Sequence, residues 1–366
     1  MKNKNKIRQC ILLISGVLVF IFIFVFIHLI GYQKKDMLKV GVILTGDIED
    51  IGWNGAHYQG VKNACERLEL EIIVKEHVLE GTGDCEKAVR ELIDKGAEMI
   101  ILSSYGYPEE VKNVVADFPE VAFYGISAEH YADNMTSYFG RMYQARYLAG
   151  VVAGMKTENN QIGYVAAMSN SEVNRGINAF TLGVKRVNPD AVVNVIWTDT
   201  WDDAEKERAA ANKLITEVKV DVITYHQNQD YVARVADEAG VFSIGYNETA
   251  EGLSDNYLTA AIWNWDELYY QILREYVQGK ANSVKRHWFG IGTGVIMLSD
   301  YSDLVEEEIR VLVESIRKEI YNGKDVFSGV IYDNSGMLRC GEGESISDEV
   351  LLEKMDWFVD GVVVYE

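Results

Sequence analysis

Hydrophobic and polar positions follow two rhythms along most of this chain. Short β-rich apolar runs occur at Lys39–Leu44, Glu71–Val74, Met99–Leu102, Val121–Tyr124, Ile162–Ala166, Val192–Trp197, Val220–Thr224, Val241–Ile244 and Leu258–Ile262. Between most of them lie amphipathic stretches with helical spacing, among them Cys85–Lys95, Arg141–Met155, Val173–Val187 and Glu205–Val218. Alternation of this kind predicts parallel sheets covered by helices. The three prolines, Pro108, Pro119 and Pro189, each fall between elements.

A different pattern occupies the start. Ile11 to Ile30 is a block of 20 residues, 17 of them Ile, Leu, Val or Phe. At about 1.5 Å per residue, a helix of that length spans roughly 30 Å, one hydrocarbon core. Lys2, Lys4, Lys6 and Arg8 precede it, which keeps the N-terminus cytoplasmic and sends the rest across. No small-x-small cleavage site follows the block, and the first alanine is Ala56. The expectation is an uncleaved signal anchor in residues 1–37, single-pass in the cell membrane, with the body outside.

Charge narrows the function. Residues 1–37 carry +5 within a whole-chain charge of −21, so the remaining 329 residues carry the difference, −26. A body so acidic lacks the positive field that a nucleic-acid partner requires. Its size allows two cores, since single cores stop growing near about 250–300 residues. Cys65, Cys85 and Cys340 are an odd set with no CxxC pair, and buried free thiols are expected.

Doubly wound sheets bind ligands at the carboxyl ends of their strands. Trp53-Asn54, Tyr105-Gly-Tyr107, Trp197, Asn228, Tyr246-Asn247 and Trp263 all follow or close the predicted strands. Aromatic rings and amides recur there, while Lys and Arg are scarce. Such a mouth suits a flat, neutral ligand held by stacking and amide hydrogen bonds. The one glycine cluster, Gly290-Ile-Gly292-Thr-Gly294, runs into the strand-like Val295–Leu298, so the phosphate-loop reading fails on context. The six histidines lack ligand spacing, and no nucleophile, base and oxyanion site assemble. No metal, no cofactor and no enzyme activity are expected.

Longer motifs carry a resemblance. Phe139-Gly-Arg-Met-Tyr-Gln-Ala-Arg-Tyr-Leu-Ala-Gly-Val-Val-Ala-Gly154 resembles the basic membrane protein family, the purine-binding substrate-binding proteins of ABC transporters. Ile162–Ala167, Arg175–Gly183 and Val187–Asp190 tighten the match, and Ile346–Leu352 with Asp356–Val363 looks like the adenine-type branch. The resemblance implies a type I periplasmic-binding-protein fold, two doubly wound parallel-sheet lobes joined by a three-strand hinge. Residues 38–140 plus about 265–299 would form the first lobe, and 141–264 plus about 300–366 the second. It also implies a purine base or nucleoside enclosed between the lobes and handed to an ABC permease. The matching positions are Trp53 with Asn54 beside it, Tyr105, Tyr107, Tyr246-Asn247 and Trp263-Asn264-Trp265. Members of this branch usually carry Asp where this chain has Asn228. Asn both donates and accepts, so the preference is expected to shift towards an oxo-purine. A membrane-anchored purine sensor signalling to a separate partner is the alternative.

Overall fold

Runs that are apolar on both faces become the inner strands of the structure, a computed structural model that describes residues 37–50, 52–127, 132–247 and 255–365. The first five strands are β1 (Lys39–Ile43), β2 (Glu71–Lys75), β3 (Met99–Leu102), β4 (Ala122–Ile126) and β5 (Met135–Gly140). The next five are β6 (Gln161–Ala166), β7 (Val192–Trp197), β8 (Val222–His226), β9 (Phe242–Asn247) and β10 (Tyr257–Trp263). Five shorter ones follow: β11 (Arg286–Phe289), β12 (Ile296–Leu298), β13 (Ile331–Tyr332), β14 (Leu338–Cys340) and β15 (Val362–Tyr365). The helices are α1 (Trp53–Leu68), α2 (Asp84–Asp94), α3 (Tyr107–Asp117), α4 (Met142–Lys156), α5 (Ser171–Val187), α6 (Ala204–Lys213), α7 (Tyr231–Ala239), α8 (Trp265–Val277), α9 (Glu307–Tyr321) and α10 (Asp348–Glu353).

The chain winds the same topology twice. The first sheet runs β11-β5-β4-β3-β1-β2 and is parallel throughout. The second runs β12-β10-β9-β8-β6-β7-β15. Within them β5-β4-β3-β1-β2 and β10-β9-β8-β6-β7 are one doubly wound order repeated. In each, the winding reverses beside the strand that starts the unit, between β1 and β3 and between β6 and β8. Ligands of such sheets sit in the crevice opened at that reversal, at the carboxyl ends of the strands. Among the described strands of these two sheets only β12 is antiparallel, pairing with β10. It lies inside the 265–299 stretch expected for the first lobe, so the chain returns to the second sheet earlier than the sequence suggested.

Three crossovers join the lobes, and they are knitted together. Gly140–Arg141 leads from β5 to α4, Trp263–Asn264 from β10 to α8, and 290–295 from β11 to β12. Arg141 N donates to Phe289 O at 2.7 Å and Asn264 N to Val295 O at 2.8 Å. At Gly140 a Cβ would sit 2.4 Å from both Trp263 Cζ3 and Ile296 Cδ1. All three crossovers therefore meet at one point where no side chain larger than hydrogen fits.

Cys65, Cys85 and Cys340 are buried free thiols. The apolar block 11–30 and its basic flank lie outside the described residues. Among the described residues no helix is long and apolar enough to cross a membrane.

Candidate ligand-binding site

At the first reversal, Trp53 opens α1 directly after the β1 loop, and its indole Nε1 donates to Ser103 O beyond β3 at 2.9 Å. One hydrogen bond thus spans the crevice head. His57 lies one turn further along α1, so helical spacing places it beneath Trp53. Their ring centroids are 4.3 Å apart, and His57 is 4.1 Å from Trp265 on its other side. Trp265 stacks on Trp263 at 4.5 Å and 10°. Trp263 in turn meets Phe139 at 4.9 Å. Rings therefore run without a break from the β1 loop to the crossovers.

Within this file some polar atoms are buried without partners. His57 Nδ1 bonds the Tyr269 hydroxyl, which contacts the Tyr138 hydroxyl at 2.9 Å. His57 Nε2 and Trp265 Nε1 have no partner. Burial lowers the His57 pKa to about 3, so the ring is neutral near pH 7. Unmatched buried donors and acceptors are rare in native proteins and mark places where a ligand or water completes the set.

The second lobe contributes charge. Arg146 of α4 is fully buried, donates to Tyr225 O at 2.8 Å, and lies 4.3 Å from the Tyr246 ring centroid. Its Nε and Nη2 have no partner. His226, at the end of β8, meets Tyr246 at 4.4 Å and Trp201 at 5.7 Å. Burial, then the positive charges of Arg146 and Arg175, hold His226 well below its ordinary pKa. Glu172 at the start of α5 is shifted upward by burial, against the pull of Arg175 and Arg146.

The nine positions expected from the sequence divide sharply. Trp53 and Trp263 belong to the ring file. Tyr246 stands between His226 and Arg146, and Asn247 follows it with φ 67° and a buried, unpartnered Oδ1. Asn228 is half-buried, with its backbone N donating to Trp201 O at 2.9 Å. Tyr105 is 75% exposed. Asn54 is occupied by the loop itself: its Oδ1 accepts from Thr45 Oγ1 and Gly46 N, both at 3.0 Å, and Nδ2 donates to Asp50. Its role is to shape the loop before Trp53.

The remaining two positions make contacts away from the ring file. Tyr107 is fully buried in the first lobe, and its hydroxyl donates to Val78 O at 2.5 Å. The Trp197 ring turns to Phe358, 6.2 Å away in the C-terminal segment. Sequence reasoning placed Trp265 and Glu172 at strand ends without choosing them as site residues, and it left out His57, Arg146 and Arg175. The i, i+4 spacing from Trp53 could have found His57, and Trp265 closes the same strand-end run as Trp263. Nothing local marks the arginines, which reach the strand ends from inside helices.

Among the described residues, Asp47, Glu76 and His77 bring metal-type donor atoms within 4.8 Å of one another, all exposed. They are not part of the ring file.

Comparison with known proteins agrees with this geometry. The family model described as ABC transporter substrate-binding protein PnrA-like matches residues 37–327. A Haloferax volcanii protein named for glucose binding in an ABC transporter, TsgA13, is 35% identical over 335 residues, 91% of this chain and 82% of its own. A Brucella abortus protein named purine-binding is 32% identical over 334 residues, 90% of this chain and 94% of its own. Among solved structures, an ABC transporter solute-binding protein of Conexibacter woesei matches with TM-score 0.65 at 19% identity, over 78% of this chain and 97% of its own. That likeness establishes the type I fold.

Proposed function

This chain belongs to the PnrA-like family of ABC transporter substrate-binding proteins, and we propose that it captures a purine base or nucleoside between its lobes for an ABC permease. The ring file Trp53–His57–Trp265–Trp263 carries the reading, because the half-buried Trp53 at its head offers an aromatic face to a flat heterocycle at the reversal of the first sheet. Stacking a base on an aromatic ring contributes roughly 1–3 kcal/mol. Two such faces, with a few hydrogen bonds to His57 Nε2, Trp265 Nε1 and Asn247 Oδ1 at about 1 kcal/mol each, reach micromolar affinity, about −8 kcal/mol. The protein binds this ligand without transforming it. The apolar block 11–30 tethers it to the membrane with the lobes outside.

The relative named for glucose binding supports a second reading, since sugars also lie on indole faces and the second lobe offers Arg146 and Asn247 to hydroxyls. Isothermal titration with adenine, hypoxanthine, adenosine, inosine and glucose separates the two. Heat with purines and none with glucose is expected. Saturable glucose binding without purine binding overturns the purine reading. A preference for hypoxanthine over adenine that Asn228→Asp reverses would assign Asn228 to the ligand's edge; an unchanged ranking removes it. Capture alone would also serve a membrane-tethered sensor, which uptake with a reconstituted permease distinguishes from transport.

A further inference from the structure

The C-terminal segment follows the residues matched by the family model, which end at 327. It is fastened along the second lobe. Asn174 Nδ2 donates to Met355 O at 2.9 Å, Arg175 Nη1 to Leu351 O at 3.3 Å and Asn178 Nδ2 to Trp357 O at 2.9 Å. Val359 N returns a bond to Asn178 Oδ1 at 2.9 Å. Beyond these, β15 adds to the free side of β7. Every one of these ties leads to the second lobe.

One tie leaves it. Arg141 stands in the first crossover, between β5 of the first sheet and α4. Its guanidinium holds Asp348 with two parallel bonds, Nη1 to Oδ1 at 2.9 Å and Nη2 to Oδ2 at 2.5 Å. The same guanidinium lies 4.0 Å from the centroid of Trp288, which is on β11 of the first sheet. Its backbone N also anchors Phe289 O. A fork-to-fork pair is satisfied at one geometry and lost at others. Turning one lobe against the other moves Trp288 and Arg141 relative to Asp348, so the pair opposes that turn.

We propose that the Arg141–Asp348 pair makes the C-terminal segment a brace on the hinge, fixing the angle between the lobes while the crevice is empty. Both are positioning residues; neither belongs to the ring file. The brace rests on the two-lobe geometry and not on the identity of the ligand, so it can be tested with no ligand present. The pair is partly exposed, 22% at Arg141 and 54% at Asp348, and salt should therefore weaken it.

The test is a distance distribution between spin labels at Glu120→Cys and Glu238→Cys, one per lobe, in the full-length ligand-free protein. Asp348→Asn is expected to broaden or displace the distribution while leaving the melting temperature within a few degrees of the parent. One-molar salt should move the parent protein towards the variant and leave the variant unchanged. Arg141→Lys, which keeps the charge and loses the fork, should fall between them. Superimposable distributions for parent and Asp348→Asn overturn the brace. So does a lowered melting temperature with unchanged distances, which would make the pair a local stabiliser only. Failure of purine binding in titration would leave these distances untouched, so the two readings fail separately.

Discussion

Helices α1 and α8 in the first lobe, and α4 and α5 in the second, are two close helix pairs beside the crossovers that differ in what else lies in the seam. The first pair meets through rings: His57 between Trp53 and Trp265, with Tyr269 behind. The second meets through glycine. A Cβ on Gly150 would lie 2.0 Å from Phe180 O, and one on Gly183 would lie 2.0 Å from Tyr147 O. Backbones that touch this closely leave no room for groups that a ligand could use. Helices α1 and α8 also approach closely, since a Cβ on Gly60 would lie 2.8 Å from Trp265 Cβ, but their seam encloses indole and imidazole nitrogens that lack partners. The difference separates a contact made to present chemistry from one made to pack.

The largest test of that contrast is His57→Phe, read against pH. The folded-state pKa of His57 is lowered from 6.5 to about 3 by burial. A lowered value means that the unfolded chain takes up a proton first as pH falls. Stability from the neutral ring is therefore fully present above about pH 6.5 and is lost progressively towards pH 3, on the order of 5 kcal/mol in all. The phenylalanine variant should lack this loss, visible in urea midpoints across that window. It should also bind purine about tenfold or more weakly at pH 7 if Nε2 meets the ligand. Parallel pH profiles would break the comparison, because the ring pair would then carry no unmet polar group.

Gly150→Ala comes next. The inserted methyl meets backbone and not the mobile tip of a side chain, so the helices must part, at roughly 1–3 kcal/mol. Thermal unfolding should record that loss, while the folded fraction binds ligand with unchanged affinity. An affinity change without a stability change would mean that the glycine pair also serves the crevice.

How far the sequence foretold this arrangement follows from the same physics. Continuous apolar runs such as Met99–Leu102 and Val121–Tyr124 became inner strands, because a strand covered on both faces has no polar phase to misread. Strands β5 (Met135–Gly140) and β11 (Arg286–Phe289) were missed, since Thr136, Ser137, Arg286 and His287 interrupt the apolar pattern. Trp53 and Trp263 were visible as aromatics at strand ends. Tyr107 shared that signature yet turned inward, because its hydroxyl found Val78 O. Arg146 was invisible: a charged residue inside a helix reads as solvent-facing until the fold brings the Tyr246 ring and Tyr225 O against it.

The smallest effect should come from the outer seam of the ring pair. There Arg67 of α1 lies 3.4 Å from the centroid of Tyr270 on α8 and 3.9 Å from Glu267. The contact joins the same two helices as His57 and Trp265, but water reaches it. An exposed cation over a ring contributes about 0.5–1 kcal/mol, and an exposed ion pair adds little more. Arg67→Ala should therefore lower stability by at most about 1 kcal/mol, by a smaller amount in high salt, and leave purine affinity as it was. Because α1 and α8 stay joined by their buried rings, the seam can be lost without moving the indoles. If Arg67→Ala instead weakened binding as strongly as His57→Phe, the chemistry of the pair would reside in how tightly the helices are clamped, and the unmet atoms of the inner face would be bystanders.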